Sequence, residues 1–333
     1  MARFLIRRTL QGLLVLWLMT LTVFGIFFLG PGPQFVARVL AGRQATPQVV
    51  HLIAHRLHLD QPWYVQYFHF LGVTPTEFRH WRGGLLQGNL GHDYYNDQPV
   101  LKEILSALPI TLSLVVGAAV LWLAMGLATG IISAVKTRSI WDRTFTTTAL
   151  FFYSMATFVL GLLFILIFYS FLTDHGVPIF AAPGAYTPFT QNPLTWAHDL
   201  ILPWFTIALV SAATYTRLTR GSMLDVFGED YIRTARSKGM RERRVIFRHN
   251  LRAALTPVVT QFGLDVGVLL GGAIITETIF GLPGIGYDSL KAVFAQDLPL
   301  VMGVVIVASA GVIIANLLVD IGYAVLDPRV RLH

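Results

Sequence analysis

No cysteine occurs in the 333-residue sequence, so disulfides, thiolate nucleophiles and thiolate metal sites are excluded while every compartment stays open. Charge is scarce as well. Asp, Glu, Lys and Arg make up 13% of the residues against 54% hydrophobic ones, and a mean hydropathy of +0.62 is too apolar for a soluble domain of this length. No Gly-Lys dipeptide is present, which removes the P-loop and any P-loop ATPase activity of the chain's own. HExxH and GxSxG are also missing, so neither a zinc-protease helix nor a nucleophile elbow is available. The net charge of +7 does not point to nucleic acid, because the basic residues lie between apolar runs rather than on a basic domain.

What fills the chain instead is long apolar runs. Phe4 to about Leu29, Leu108 to Val135, Phe145 to Leu172, Leu200 to Leu218, Pro257 to Phe280 and Pro299 to Leu326 are each long enough to cross a bilayer as a helix. The fold class that follows is an all-α polytopic membrane protein with six transmembrane helices. Arg3, Arg7 and Arg8 resemble a signal-peptide n-region, but the apolar run after them exceeds an h-region and no small-x-small site precedes PGPQ at 31–34. An uncleaved first helix is expected. Six spans place both termini on one side, and the basic residues choose it. The N-terminus, the 136–143 turn, the 217–252 loop and the C-terminus hold 18 of the 25 Lys and Arg, against 7 on the other side. The positive-inside rule then puts the termini and the 217–252 loop in the cytoplasm. Three regions result: 1–30, the first transmembrane helix; 31–107, an external insertion; and 108–333, the transmembrane core, interrupted by a cytoplasmic loop at 219–256.

That loop holds a charged island from Asp230 to Pro257. Asp230 can accept from the free N–H groups of a first helical turn, Arg236 and Lys238 suit the far end of the helix dipole, and Gly239 can take the left-handed conformation that stops the helix. A helix of about two turns is predicted. A second helix starts near Arg241, with Val245, Ile246 and Leu255 available for burial, and Pro257 opens the next apolar run.

In the external insertion, Thr46 and Pro47 form a cap and first-turn pair that opens a helix through about Leu57, and Pro62 begins another. His51, His55 and His58 share a face of the first at i, i+4 and i+7. That spacing can serve a metal, but no carboxylate adjoins them, and no metal site is assigned. Within the membrane, Gly126 and Gly130 form a GxxxG pair, and Tyr153, Ser154 and Thr157 stand in an otherwise apolar helix where polar groups serve neighbouring helices or their own backbone. The fifth run carries two stripes. Gly263, Gly267 and Gly271 recur every four residues and admit a neighbouring helix. At about 100° per residue, Gln261, Asp265, Gly272 and Thr276 fall in a sector of about 60° well away from them. Asp265 lies about 12 Å along the helix from Pro257, and an ionisable group at that depth is a functional candidate. Gln261, Asp265 and Thr276 are the expected lining of a path.

The 230–257 text closely resembles the EAA loop by which permease subunits of ABC importers dock on their ATPases. In the oligopeptide/dipeptide branch that loop reads DYxRTAxxKG, then a basic amphipathic segment and a proline. Asp230, Tyr231, Arg233, Thr234, Ala235, Lys238, Gly239 and Pro257 match it in order, with Arg-Thr-Ala standing where the general pattern has Glu-Ala-Ala. LHLDQPWYVQYFHFL and GNLG in the insertion, ETIFGLPGIG at 277–286 and NLLVDIGYAVLDPRVR at 316–331 are similar to the same branch. Asn89 replaces its aspartate, and PGPQ replaces its PGDP. The resemblance implies a non-catalytic permease subunit in the bacterial inner membrane, forming half of the translocation path for di- or oligopeptides. Its implied partners are a second homologous permease, two cytoplasmic ABC ATPase subunits or domains and an extracytoplasmic substrate-binding protein. ATP and Mg would be bound by the ATPases, with no cofactor in this chain. Asp230, Tyr231, Arg233, Thr234, Ala235, Lys238 and Gly239 would be the coupling residues. Competing readings are a secondary transporter or channel with a basic gating loop, or an importer of the same family for nickel or another small solute.

Overall fold

Twelve helices, named below, carry the described part of the chain; a computed structural model describes residues 2–26, 35, 37–38, 41–42, 45–56, 60–73, 84–93, 95–270 and 273–326. The first is α1 (Ala2–Phe24), whose Ile6, Leu10, Leu14 and Trp17 remain exposed, as a helix bordered by lipid leaves them. In the insertion stand α2 (Pro47–Arg56) and α3 (Trp63–Leu71). The core follows as α4 (Val100–Val135), α5 (Ile140–Ser154) and α6 (Thr157–Phe164, continued by a π segment, Ile165–Phe171, to Leu172–Asp174). Then come α7 (Pro193–Phe227) and the short α8 (Asp230–Ser237). Helix α9 starts at Glu242–Arg244, passes through a π segment, Val245–Asn250, and ends with Leu251–Leu270. Finally α10 (Ile274–Phe280), α11 (Ile285–Ala295) and α12 (Leu298–Leu326) close the chain.

Among the described residues, five helices are long and apolar enough to cross a membrane, and a sixth span results if α9 and α10 are counted as one. Helices α4 and α7 extend beyond the runs expected at 108–135 and 200–218, and two other expected runs are interrupted. The run expected as one span from 145 to 172 is cut at Met155 and Ala156, whose backbones are extended; α5 therefore ends at Ser154, and the apolar span begins at Thr157. The run expected as one span from 257 to 280 begins earlier and breaks later. Helix α9 carries Pro257 inside it, and α10 departs from it by 54°. Proline inside a membrane helix is sustained by packed neighbours, and Pro109 and Pro203 are likewise enclosed in α4 and α7.

The main core lies between α4 and α7, where Leu114, Trp122, Leu200 and Tyr215 are fully buried, with Val258 of α9 and Phe280 of α10 against them. Glycine makes the approach possible. A Cβ on Gly117 would lie 2.0 Å from the Trp204 indole, one on Gly126 2.4 Å from Tyr215 Cβ, and one on Gly130 2.7 Å from Thr219 Cβ. The Thr129 and Thr216 hydroxyls bond at 2.7 Å along the same seam.

A second cluster seats α3. Tyr67 and Phe70 of α3 pack with Val23 and Phe24 of α1 and with Met302 and Ile306 of α12, and the Tyr67 and Thr20 hydroxyls bond at 2.9 Å. The turn before α4 is fastened to the end of α11 by a hydrogen bond from the Tyr95 hydroxyl to the Ala295 carbonyl. The Asp93 carboxylate accepts from the Tyr95 and Asn96 amides. Burial opposes ionisation there, yet the bonds with Asp297 and those two residues hold the Asp93 carboxyl below its usual range.

Candidate functional site

Helix α8 is 8 residues long, about two turns. Its N-cap is Glu229, with extended backbone and no side-chain cap bond, so Asp230 is the first helical residue and not the cap expected from sequence. The Asp230 side chain is 96% exposed and stands 3.6 Å from Arg233; an acid in the first turn still suits the dipole. At the other end Lys238 is the C-cap, and Gly239 follows with φ +71°, a left-handed conformation that a β-branched residue tolerates poorly.

The helix has two faces. Ile232 and Ala235 are buried against Val226 and Phe227 of α7, Met240 and Val245. Asp230, Tyr231, Arg233, Thr234, Lys238 and Gly239 are exposed. Ala235 was expected in the contact set; its side chain instead faces this chain's own body, because the apolar residues at i and i+3 are the ones that seat the helix. The Arg236 guanidinium forks onto Glu242 at 2.6 and 3.2 Å and lies 5.3 Å over the Phe227 ring, joining α8 to α9 and α7 together.

Toward the α8 end of α7, an ion pair between the half-buried Arg220 and the buried Asp142 joins α5 to α7. Arg220 Nε and Nη2 donate to the two Asp142 oxygens at 2.7 and 3.0 Å. Asp142 also accepts from the Ser133 hydroxyl and, at 2.9 Å, from the Arg138 amide. Arg220, against the opposing effect of burial, and then Ser133 hold the Asp142 carboxyl well below the usual carboxylate range. Sequence reading missed this pair. The available signal was an acid three residues after a helix-capping serine, in a turn otherwise basic.

Deeper in the bundle, Gln261 Nε2 donates to Asp265 Oδ1 at 2.8 Å, and the Tyr215 hydroxyl donates to Oδ2 at 2.8 Å. The structure thus brings Gln261 and Asp265 together, as their spacing requires, and adds Tyr215 from α7. Thr276 does not join them on one helical face. It belongs to α10, beyond the 54° break, and is 3% exposed. Gly263 and Gly267 are buried, and a Cβ on Gly267 would meet Val312 of α12 at 3.6 Å. Gly271 and Gly272 lie outside the described residues.

The residue that follows Thr276 carries the local geometry. Glu277 is fully buried, and its carboxylate accepts from Thr111 Oγ1 at 2.8 Å and from the Tyr287 amide at 2.9 Å, while the Ile285 amide donates to Thr111 at 2.9 Å. A Cβ on Gly284 would stand 2.5 Å from that carboxylate, so the glycine is demanded by the carboxylate's approach. A lone acid before Gly-Leu-Pro-Gly in an apolar run was the legible signal. In the insertion, His55 Nδ1 lies 2.8 Å from Asp60, a carboxylate partner that the face-by-face reading of α2 did not contain. His51 is exposed on α2, and His58 lies outside the described residues.

Comparison with known proteins agrees with this architecture along the whole chain. Residues 126–332 match the family described as binding-protein-dependent transport system inner membrane component, and residues 1–115 match its N-terminal region. A peptide ABC transporter permease protein of Sinorhizobium fredii is 33% identical over 331 residues, covering 99% of this chain and 100% of the relative. A peptide transport system permease protein of Brucella abortus is 35% identical over 332 residues, with 99% of each covered. The glutathione transport system permease protein GsiC of Escherichia coli K12 is 36% identical over 332 residues, again with 99% of each covered. The chain belongs to the family of binding-protein-dependent transport system inner membrane components and is a multi-pass permease subunit of an ABC importer.

Proposed function

We propose that this subunit forms half of the translocation path for di- or oligopeptides and that the exposed face of α8 is where an ATPase docks. The observation that carries the reading is the division of α8 into a buried apolar edge and an exposed edge of Asp230, Tyr231, Arg233, Thr234 and Lys238. A helix so seated transmits a push to α7 and α9, since both share its buried cluster. Two ABC ATPase subunits or domains supply the energy and bind ATP and Mg, with no cofactor and no catalysis in this chain. A second homologous permease completes the path, and an extracytoplasmic binding protein delivers the substrate. The peptide assignment is supported by the relatives named for peptides and for glutathione, itself a tripeptide.

Six spans, with both termini and the 219–256 loop in the cytoplasm and the 31–107 insertion outside, agree with the distribution of basic residues. Gln261, Asp265 and Thr276 stay candidates for the path, the first two as one hydrogen-bonded unit and Thr276 from a separate helix.

The test is ATP hydrolysis by the reconstituted complex with and without binding protein. Gly239→Val, which strains the end of α8, and Arg233→Glu, which reverses an exposed charge, should each abolish the stimulation while leaving the complex assembled. Full stimulation in both removes the docking role. For the orientation, an impermeant thiol reagent on intact cells should label Gln48→Cys and spare Ser237→Cys; the opposite pattern overturns it.

A further inference from the structure

The ion pair between α5 and α7 stands apart from the exposed face of α8 but is joined to it through α7. Arg220 lies seven residues before Phe227 on one uninterrupted helix, about 10 Å along its axis, and Phe227 packs in the cluster that seats α8. On the other side, Asp142 is the third residue of α5, capped by Ser139, whose hydroxyl accepts from the Asp142 amide at 3.3 Å. Its carboxylate gathers donors from three places: the end of α4 through Ser133, the turn through the Arg138 amide, and α7 through Arg220.

Arg138 has φ +62°, a left-handed conformation uncommon outside glycine, asparagine and aspartate, which here directs its amide at the carboxylate. The turn is therefore shaped around Asp142. Besides that acid, α5 is held to α7 by a short buried edge, Ala149 included, and by the Arg217 guanidinium 4.0 Å over the Tyr153 ring, while most of its other side chains are exposed. Apolar packing and ring stacking allow sliding; a bidentate guanidinium–carboxylate pair fixes both distance and direction.

We propose that Arg220 and Asp142 are positioning residues of the drive: their ion pair fastens the α4–α5 turn to α7, so that a push on α8 reaches α5 as well as α7. This rests on the reading of α8 as the docking helix. In this role each acts by keeping three helices in one rigid unit rather than by contact with the ATPase or the substrate.

The cysteine-free chain allows a direct test in the full complex. Spin labels at Ser237→Cys on α8 and Thr148→Cys on α5, both exposed positions, report their separation in the nucleotide-free complex and after trapping with ATP and vanadate. With the pair intact, the distance should be narrow and equal in both states. In Asp142→Asn, which keeps one of the two acceptor oxygens, turns the other into a donor and drops the charge, the resting distance should persist and the trapped distance should shift by several ångström and broaden. Arg220→Lys, which keeps the charge and loses the fork, should shift in the same direction by less, and it decides the matter if Asp142→Asn does not assemble.

An unchanged narrow distance in both states overturns the proposal. Equal broadening in both states also overturns it, because the pair would then only hold the fold together. Failure of the underlying reading looks different: Arg233→Glu and Gly239→Val would retain stimulated ATP hydrolysis whatever the labels report.

Discussion

Two glycine-bearing seams run through this permease, and they are not equivalent. Between α4 and α7, Gly117, Gly126 and Gly130 stand where a methyl group would come within 2.0 to 2.7 Å of Trp204, Tyr215 and Thr219. Between α9 and α12, a methyl on Gly267 would find Val312 at 3.6 Å, an ordinary contact distance. A glycine pair four residues apart, Gly126 and Gly130 in one and Gly263 and Gly267 in the other, is the same sequence signal in both. The difference is set by what stands opposite: a Trp, a Tyr and two Thr on α7, against Val312 and Ala315 on α12. Small residues license close approach, but the partner helix decides whether it is used.

The largest effect should come from Gly126→Ala. Its Cβ meets the Cβ of Tyr215 at 2.4 Å and the Ala212 carbonyl at 3.1 Å, neither of which can swing away, so the two helices must part, at a cost of about 1–3 kcal/mol. The midpoint for loss of the detergent-solubilised complex on heating should fall clearly; an unchanged midpoint would mean that the seam is looser than described. A smaller effect is expected from Asp265→Asn, which keeps both hydrogen-bond partners in reach but removes the charge. An inter-helix bond in a membrane contributes roughly 0.6–2 kcal/mol, so the complex should assemble while uptake of peptides differing in terminal charge changes relative to the parent. Identical uptake across such a series would assign Asp265 to holding α7 against α9 alone. The smallest effect belongs to Gly267→Ala, with a thermal midpoint within error of the parent; a fall as large as that of Gly126→Ala would erase the distinction between the seams.

The legibility of the chain follows a similar divide. Apolar runs located the membrane helices because their length is a property of the run itself, and the two turns of α8 with the Gly239 stop were readable because capping is local. The breaks at Met155–Ala156 and before Ile274 were not. Ala156 carries no local instruction to end a helix; before Ile274 the Gly271–Gly272 dipeptide is such an instruction, but it was read as part of the two stripes, and the break is followed by the burial of Glu277 among Thr111 and the amides that begin α11. The polar sector drawn from Gln261 to Thr276 assumed one straight helix, and so it joined residues that the fold separates. Asp230 was one position off as a cap because Glu229 supplies the extended residue. Ala235 matched the docking motif in text, but its side chain serves the inner edge. A motif match names residues that occur together without saying which of them point outward.

Neighbouring residues on α8 therefore allow the most direct test of the central claim. Thr234 is exposed and Ala235 is 7% exposed, so Thr234→Cys and Ala235→Cys, each the only cysteine in this chain, present a thiol to the outside and to the buried edge respectively. With a short bifunctional thiol cross-linker in native membranes, Thr234→Cys should join to an ATPase subunit carrying a surface cysteine, and Ala235→Cys should not. No adduct from Thr234→Cys in an assembled complex, or equal yields from the two positions, would contradict the assignment of the exposed face of α8 as the surface through which ATP hydrolysis drives this permease.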